Sequence, residues 1–369
     1  MEKRSQLTLF IIIAIVLVGG VIAAIFYFNH NSNNPINNNP NNNSSDNGTV
    51  TPVKPAIYAT IVSHSEDTSP RFDYLDTEAG YIAGRDALLE MANFVKDTGA
   101  SWDYEPDWRF LEAAIKYEKG DVLSNTNNKN ILRYLSEDLG FQIDAHSHEN
   151  NGYNYADVAY LINQLGVTSS NIIGGTIVFP VEASQFERFR VPLTGDKYSY
   201  TWDPEVLWGA GTAQHVGDEQ KKSGLWRPKS AADFFTHDAN ANLIYVGSCD
   251  NIDSLVDAIY VSKTAPTDKI YNVVIFIAED ALQDSGKFSN YEEQISKMNE
   301  YVKKGYVKWA TLNEIVNVWQ NEYNSAPNIF DCDSASSQPE PSVQPSSPCG
   351  DGVCQITERR LGKCPEDCG

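Results

Sequence analysis

From Ala56 onward the chain alternates short apolar runs with stretches in which apolar residues recur at helical spacing. The runs at 57–63, 99–104, 141–146, 172–179, 243–247, 273–278 and 307–310 read as strands buried on both faces. Between them Leu88, Met91, Ala92 and Val95, then Val158, Leu161, Ile162 and Leu165, mark one face of a helix lying on a sheet. Pro106 suits a first helical position, and Ser289-x-x-Glu292 and Thr311-x-x-Glu314 read as capping boxes opening the last two helices. Strands separated by helices predict an α/β fold with a parallel sheet, open or closed into a barrel. Residues 180–242 break the rhythm, and a connection of that length is expected to arch over one end of the sheet. Its Trp202, Trp208, Trp226, Tyr198 and Tyr200 are suited either to stacking on sugar rings or to covering the core.

Outside this region the pattern changes. Residues 8–28 carry no charge and at helical rise reach roughly 30 Å, a bilayer's thickness. Lys3 and Arg4 precede them, so residues 1–7 are expected to be cytoplasmic, 8–28 a retained single-pass anchor rather than a cleaved signal peptide, and the remainder extracytoplasmic. Residues 29–55 are Asn-rich and predict a flexible tether, with sequons at Asn42, Asn43 and Asn47. A main domain is expected over 56–326, then a Ser/Pro linker over 327–348 and a disulfide-rich module over 349–369. Asp351, Glu358, Glu366 and Asp367 give that module oxygen ligands for Ca²⁺ or simply an acidic surface. Cys249 and Cys332 remain, and an oxidising location allows them to pair. The formal charge of -21 repels phosphate backbones, which argues against nucleic acid as a partner.

Candidate chemistry sits at the ends of two strand-like runs. Ser63-His64-Ser65-Glu66-Asp67 follows the first, and Asp144-Ala145-His146-Ser147-His148-Glu149 ends the third. Imidazoles and carboxylates at the C-terminal ends of parallel strands suit a divalent transition metal, Zn²⁺ foremost, better than Ca²⁺. His146 and His148 project the same way from a strand, whereas the neighbours Glu66 and Asp67 diverge, so that one binds metal and the other handles protons. His64 is either a further ligand or a loop residue, and His215 and His237 are either proton donors or surface histidines.

On these segments the chain resembles the polysaccharide deacetylases of the NodB-homology type, over about residues 56–322. Glu66-Asp67 stands at that family's Asp-Asp pair, His146-Ser147-His148-Glu149-Asn150 at its His-Ser/Thr-x-x-His motif, and Arg190-Val191-Pro192-Leu193-Thr194-Gly195 at its Arg-x-Pro motif. The resemblance implies a distorted (β/α)7 barrel, catalytic roles for Glu66 and Arg190, and metal held by Asp67 and His146, with His148 completing the set because Asn150 stands where the family has its second ligating histidine, unless the site is altered; Glu279 or His215 would substitute for the family's missing Leu-x-His histidine. It implies an enzyme removing N- or O-acetyl groups from a polysaccharide, and the segment 8–28 is expected to anchor that enzyme in the membrane. Two other readings compete: a non-catalytic glycan-binding or surface-display protein, and a glycoside hydrolase using carboxylates such as Glu66 and Glu279. The C-terminal Cys-Gly-Asp-Gly-x-Cys stretch resembles small modules that end exported microbial proteins.

Overall fold

The computed structural model describes residues 56–176, 181–210 and 222–332. Thirteen strands are named in chain order among them: β1 (Ile57–His64), β2 (Trp102–Glu105), β3 (Gln142–Ile143), β4 (Ala145–His146), β5 (Ile172–Thr176), β6 (Leu193–Thr194), β7 (Thr201–Trp202), β8 (Val206–Ala210), β9 (Lys222–Trp226), β10 (Ile244–Ser248), β11 (Tyr271–Ala278), β12 (Val307–Trp309) and β13 (Phe330–Asp331).

Parallel pairings run from β11 to β1 to β2 to β3, and from β4 to β5 to β8 to β10. Because β3 and β4 are separated only by Asp144, and a parallel bridge joins Cys249 to Val273, the two series close into one ring. Seven parallel strands therefore make the wall, counting β3 and β4 as one. Two intruders distort it. β12 takes the place of β2 beside residues 57–59, and β9 runs antiparallel on β10 just before that strand's extension meets β11.

Side-chain parity divides the core. Ile57, Ala59 and Ile61 belong to the layer beneath the helices, with Trp102, Tyr104, Ile143, Ala145, Ile173, Leu207, Tyr245, Val273, Ile275 and Ile277. Tyr58, Val62, Ile172, Val206, Trp208, Ile244, Val246 and Val274 fill the inside of the ring, where helix Leu312–Glu322 adds Leu312, Ile315, Val316 and Trp319. Strands buried on both sides read as unbroken apolar runs for this reason.

The predicted helical stripes lie in helices Glu78–Thr98 and Tyr155–Gln164, with Leu165 at the C-cap of the second, and the Thr311–Glu314 capping box forms. Three local expectations shift. Helix Trp108–Tyr117 starts after Asp107 rather than at Pro106, because the Asp107 carboxylate caps it. The penultimate helix starts at Ser285 under an Asp284 cap, which puts Ser289 inside it. The region read as an arch also contributes to the sheet: it supplies the wall strand β8 and the antiparallel β9, and its Trp202, Trp208 and Trp226 are buried. The ring's seventh member is thus β8, while 307–310, read as a full strand, is the short β12.

Cys249 and Cys332 form a disulfide with Cα atoms 5.7 Å apart, pinning the end of the domain to the β10–β11 seam. Among the described residues no helix is long and apolar enough to cross a membrane, and the segment 8–28 expected to do so lies outside them. The membrane-anchored, single-pass localisation is corrected accordingly and not retained. The tether, the Ser/Pro linker beyond 332 and the cysteine module also lie outside the described residues, as does His215.

Candidate functional site

The C-terminal ends of β1, β2 and β4 meet at one mouth of the ring, and inward parity decides what they deliver. His64 continues the inward series of Tyr58 and Val62, Glu105 that of Asp103, and His146 that of Asp144. The His64 and His146 rings stack with centroids 4.0 Å apart, and His64 Nε2 lies 2.5 Å from Glu105 Oε2. Glycines in β5 make this possible. A Cβ on Gly174 would lie 2.6 Å from the Ala145 carbonyl oxygen and 3.0 Å from the Glu105 carboxyl carbon. One on Gly175, whose φ is +126°, would lie 3.1 Å from His146 Nδ1. The β5–β8 register shifts at this point, as a bulge does where a strand must bend around a site.

Both imidazoles of the third-strand motif are anchored from behind. His146 Nδ1 donates to the Gly174 carbonyl at 3.0 Å, so Nδ1 carries a proton, and in the neutral ring the lone pair is on Nε2. His148 Nδ1 lies 2.9 Å from Asp67 Oδ1, and Asp67 Oδ2 accepts from Trp108 Nε1 at 3.1 Å and Asn151 Nδ2 at 3.3 Å. Burial alone pushes the Asp67 carboxyl up, but its bonds to His148 and Trp108 outweigh that and hold it below the usual range.

Ligand atoms of Asp107, His146 and His148 lie within 4.8 Å of one another, as do those of His64, Glu66 and His146. Asp107 Oδ1 accepts from Trp108 N at the helix start, while Oδ2 is buried without a hydrogen-bond partner among the described residues. Burial first, and then the charge of Asp67, push Asp107 well above the usual carboxylate range. A divalent cation would reverse that by favouring the ionised form. Two imidazoles and one carboxylate, with an orphaned buried oxygen, therefore fit a transition metal.

Acidity continues below the mouth. Asp103 and Asp144 are fully buried inside the ring, burial pushing Asp103 well up and Asp144 up to about 7. Asp103 accepts from Thr60 Oγ1 at 2.5 Å and from Leu312 N at 3.1 Å. At the rim Arg71 grips Asp280 through two 2.5 Å bonds and reaches Glu66 Oε2 at 3.5 Å.

Several expected roles meet a different placement. Asp67, expected as a ligand, spends one oxygen on orienting His148. Asn150 is exposed and accepts from Asn151. Glu279 is on the wrong parity: it follows Ile275 and Ile277 into the helix-facing layer, where Tyr104 Oη donates to it at 2.8 Å and burial pushes it up to about 8. Arg190 caps helix Ala183–Phe189, contacting Glu187, Asn242 and the Phe186 ring rather than the cluster. His237 Nδ1 accepts from Arg227 N, beside the antiparallel bridge that pairs His237 with Pro228. Glu105 and Asp107 were missed, although Glu105-Pro106-Asp107 follows an apolar run just as the other two acidic segments do.

No family model matches the chain, and no curated protein matches it. Among solved structures, one similar chain is a 4-alpha-glucanotransferase from Thermococcus litoralis, at 11% identity and TM-score 0.39, covering 74% of this chain and 39% of that one. Another is a GH57 branching enzyme from the hyperthermophilic archaeon Thermococcus kodakaraensis, at 9% identity and TM-score 0.42, covering 72% and 71%. The chain thus spans well under half the length of the glucanotransferase. The expected membership in the NodB-homology deacetylases, and with it the deacetylase activity on carbon–nitrogen bonds, is corrected and not retained: no family model matches the chain.

Proposed function

We propose that the mouth of the ring is a divalent-metal site that cleaves glycosidic bonds in a carbohydrate. The observation that carries this is the convergence of Asp107, His146 and His148, with each imidazole held at Nδ1 by a separate acceptor. Such backing fixes tautomer and ring orientation before any ligand arrives. Asp107, His146 and His148 hold the metal, and Asp67 and the Gly174 carbonyl position the rings. When bound, the metal supplies Lewis acidity and lowers the pKa of a bound water. Glu66, at the rim beside Arg71, is placed to move protons between water and the leaving oxygen. Arg71, Asp280, Asn150, Asn151 and the half-buried Trp108 give the rim hydrogen-bonding groups and one aromatic face, the chemistry a sugar ring requires.

The test is a pair of measurements on the purified protein. Elemental analysis is expected to find one transition metal per chain, lost in Asp107→Ala and bound about 10- to 100-fold more weakly in Asp67→Asn. Incubation with a panel of neutral oligo- and polysaccharides is expected to yield new reducing ends, abolished by chelator and by Glu66→Gln. Cleavage that survives metal removal overturns the metal role. Stoichiometric metal without new reducing ends on any glycan overturns the reaction.

A further inference from the structure

From Trp108 a row of aromatic rings leads away from the mouth. Trp108 stacks on Tyr153 at 4.5 Å with 7° between planes, Tyr153 meets Tyr198 edge-on at 6.5 Å, Tyr198 stacks on Tyr160 at 4.4 Å, and Tyr160 meets Tyr200 at 5.8 Å. Tyr153 is buried and serves as backing, whereas Trp108, Tyr198, Tyr160 and Tyr200 are each half-buried and keep part of the ring at the surface. The row is tied to the site at one end, where Trp108 Nε1 donates to Asp67.

The loop carrying Tyr198 is built rather than draped. The buried Asp157 carboxylate accepts from the backbone N–H groups of Asp196, Lys197 and Tyr198 at 2.8, 3.0 and 2.7 Å, as well as from Asn154 N at 3.0 Å. Gly195 permits it, since a Cβ there would sit 2.4 Å from Asp157 Oδ1. Hydrogen bonds of this charge-assisted kind fix a loop before a ligand binds and so lower the ordering cost of binding. A loop needed only to cover the core would bury these rings, as the same region buries Trp202 and Trp226. Polar handles flank the row: Tyr200 Oη accepts from Asn163 Nδ2 at 2.6 Å, and Lys197 and Glu112 both bond Tyr153 Oη. One lysine matched by one glutamate in a chain of net charge -21 favours an uncharged polymer over an anionic one.

We infer that Trp108, Tyr198, Tyr160 and Tyr200 form a track that binds successive units of a neutral glycan chain, so that the protein takes a polymer rather than a single sugar. This rests on the carbohydrate reading of the mouth. Each ring offers a face or edge to one sugar unit, and Tyr153 with Asp157 holds the spacing.

Binding is measured by retardation in gels containing soluble neutral polysaccharides, and by titration with oligosaccharides of increasing length. The wild type is expected to bind more tightly as the chain lengthens, and Tyr198→Ala and Tyr160→Ala to lose about tenfold on long chains and nothing on disaccharides. Asp157→Asn, which loosens the loop but keeps every ring, is expected to lie between. Unchanged thermal unfolding of Tyr198→Ala separates lost binding from lost folding. Glycan cleavage by the wild type that does not depend on chain length or on Tyr198 overturns the track and leaves the mouth's function standing. Length-dependent, Tyr198-dependent binding without cleavage sustains the track and removes the catalytic reading. Absence of any glycan binding overturns the track.

Discussion

At the residue scale, parity outranks proximity in sequence. Glu279 and Asp280 are neighbours, yet Asp280 meets Arg71 at the rim while Glu279 is buried against Tyr104. Burial raises the Glu279 carboxyl to about 8 from the usual 4.5, so the folded state binds a proton that the unfolded state releases near pH 4.5. Its stabilising effect is therefore complete below about pH 4.5, declines as pH rises and is gone above about 8. Denaturant unfolding from pH 5 to 8 is expected to show wild-type stability falling by on the order of a few kcal/mol more than that of Glu279→Gln. Parallel curves for the two proteins would refute a buried protonated Glu279. Sequence reasoning placed Glu279 at the site because it ends the right strand. Counting alternate positions from Val273 assigns it to the helix side.

At the scale of elements, β5 decides whether the mouth exists. Its Gly174 and Gly175 have no side chain to offer the site, but the Gly174 carbonyl orients His146 and the space above the two glycines holds Glu105 and the His146 ring. In Gly174→Ala the new Cβ meets the Ala145 backbone, which cannot move without breaking the β4–β5 pairing. A loss of about 1–3 kcal/mol is expected, with weaker metal binding at temperatures where the variant is folded. Thermal unfolding and metal titration check both, and a variant of wild-type Tm with intact metal affinity would show that β5 has slack. The acidic segment after β2 shows the complementary lesson. Glu105 and Asp107 were legible as carboxylates ending an apolar run, but contained no histidine to attract attention. The helix cap that holds Asp107 in place also had a readable signal, an Asp directly before an amphipathic stretch.

For the whole molecule, closure of the ring is weakest at the seam between β10 and β11, which the described residues join through one bridge, Cys249 to Val273. The Cys249–Cys332 disulfide lies on that residue and spans 83 positions of sequence. Cys332→Ser is expected to lower stability by about 2–5 kcal/mol, and reductant to bring the wild type to the same value. Chemical denaturation with and without reductant measures this, and a wild type indifferent to reductant would show that the wall holds without its clasp.

Much of this architecture was readable beforehand because it is local. The approximate places of most strands, the helical stripes on 78–98 and 155–164, the Thr311 cap and the inward pairing of His146 with His148 follow from backbone periods and short-range hydrogen bonding. The same local signals misplaced two helix starts and concealed β8, whose five residues lie among Trp, Gly and Pro. What only the tertiary structure decided is which distant side chains share a space. That Asp67 braces His148, that Asp107 joins the two imidazoles, and that Glu279 and Arg190 do not, depends on strand register and on the absence of a Cβ at two glycines. Neither is a property of any one segment, since a ring of parallel strands sets its registers through pairings between residues far apart in the chain.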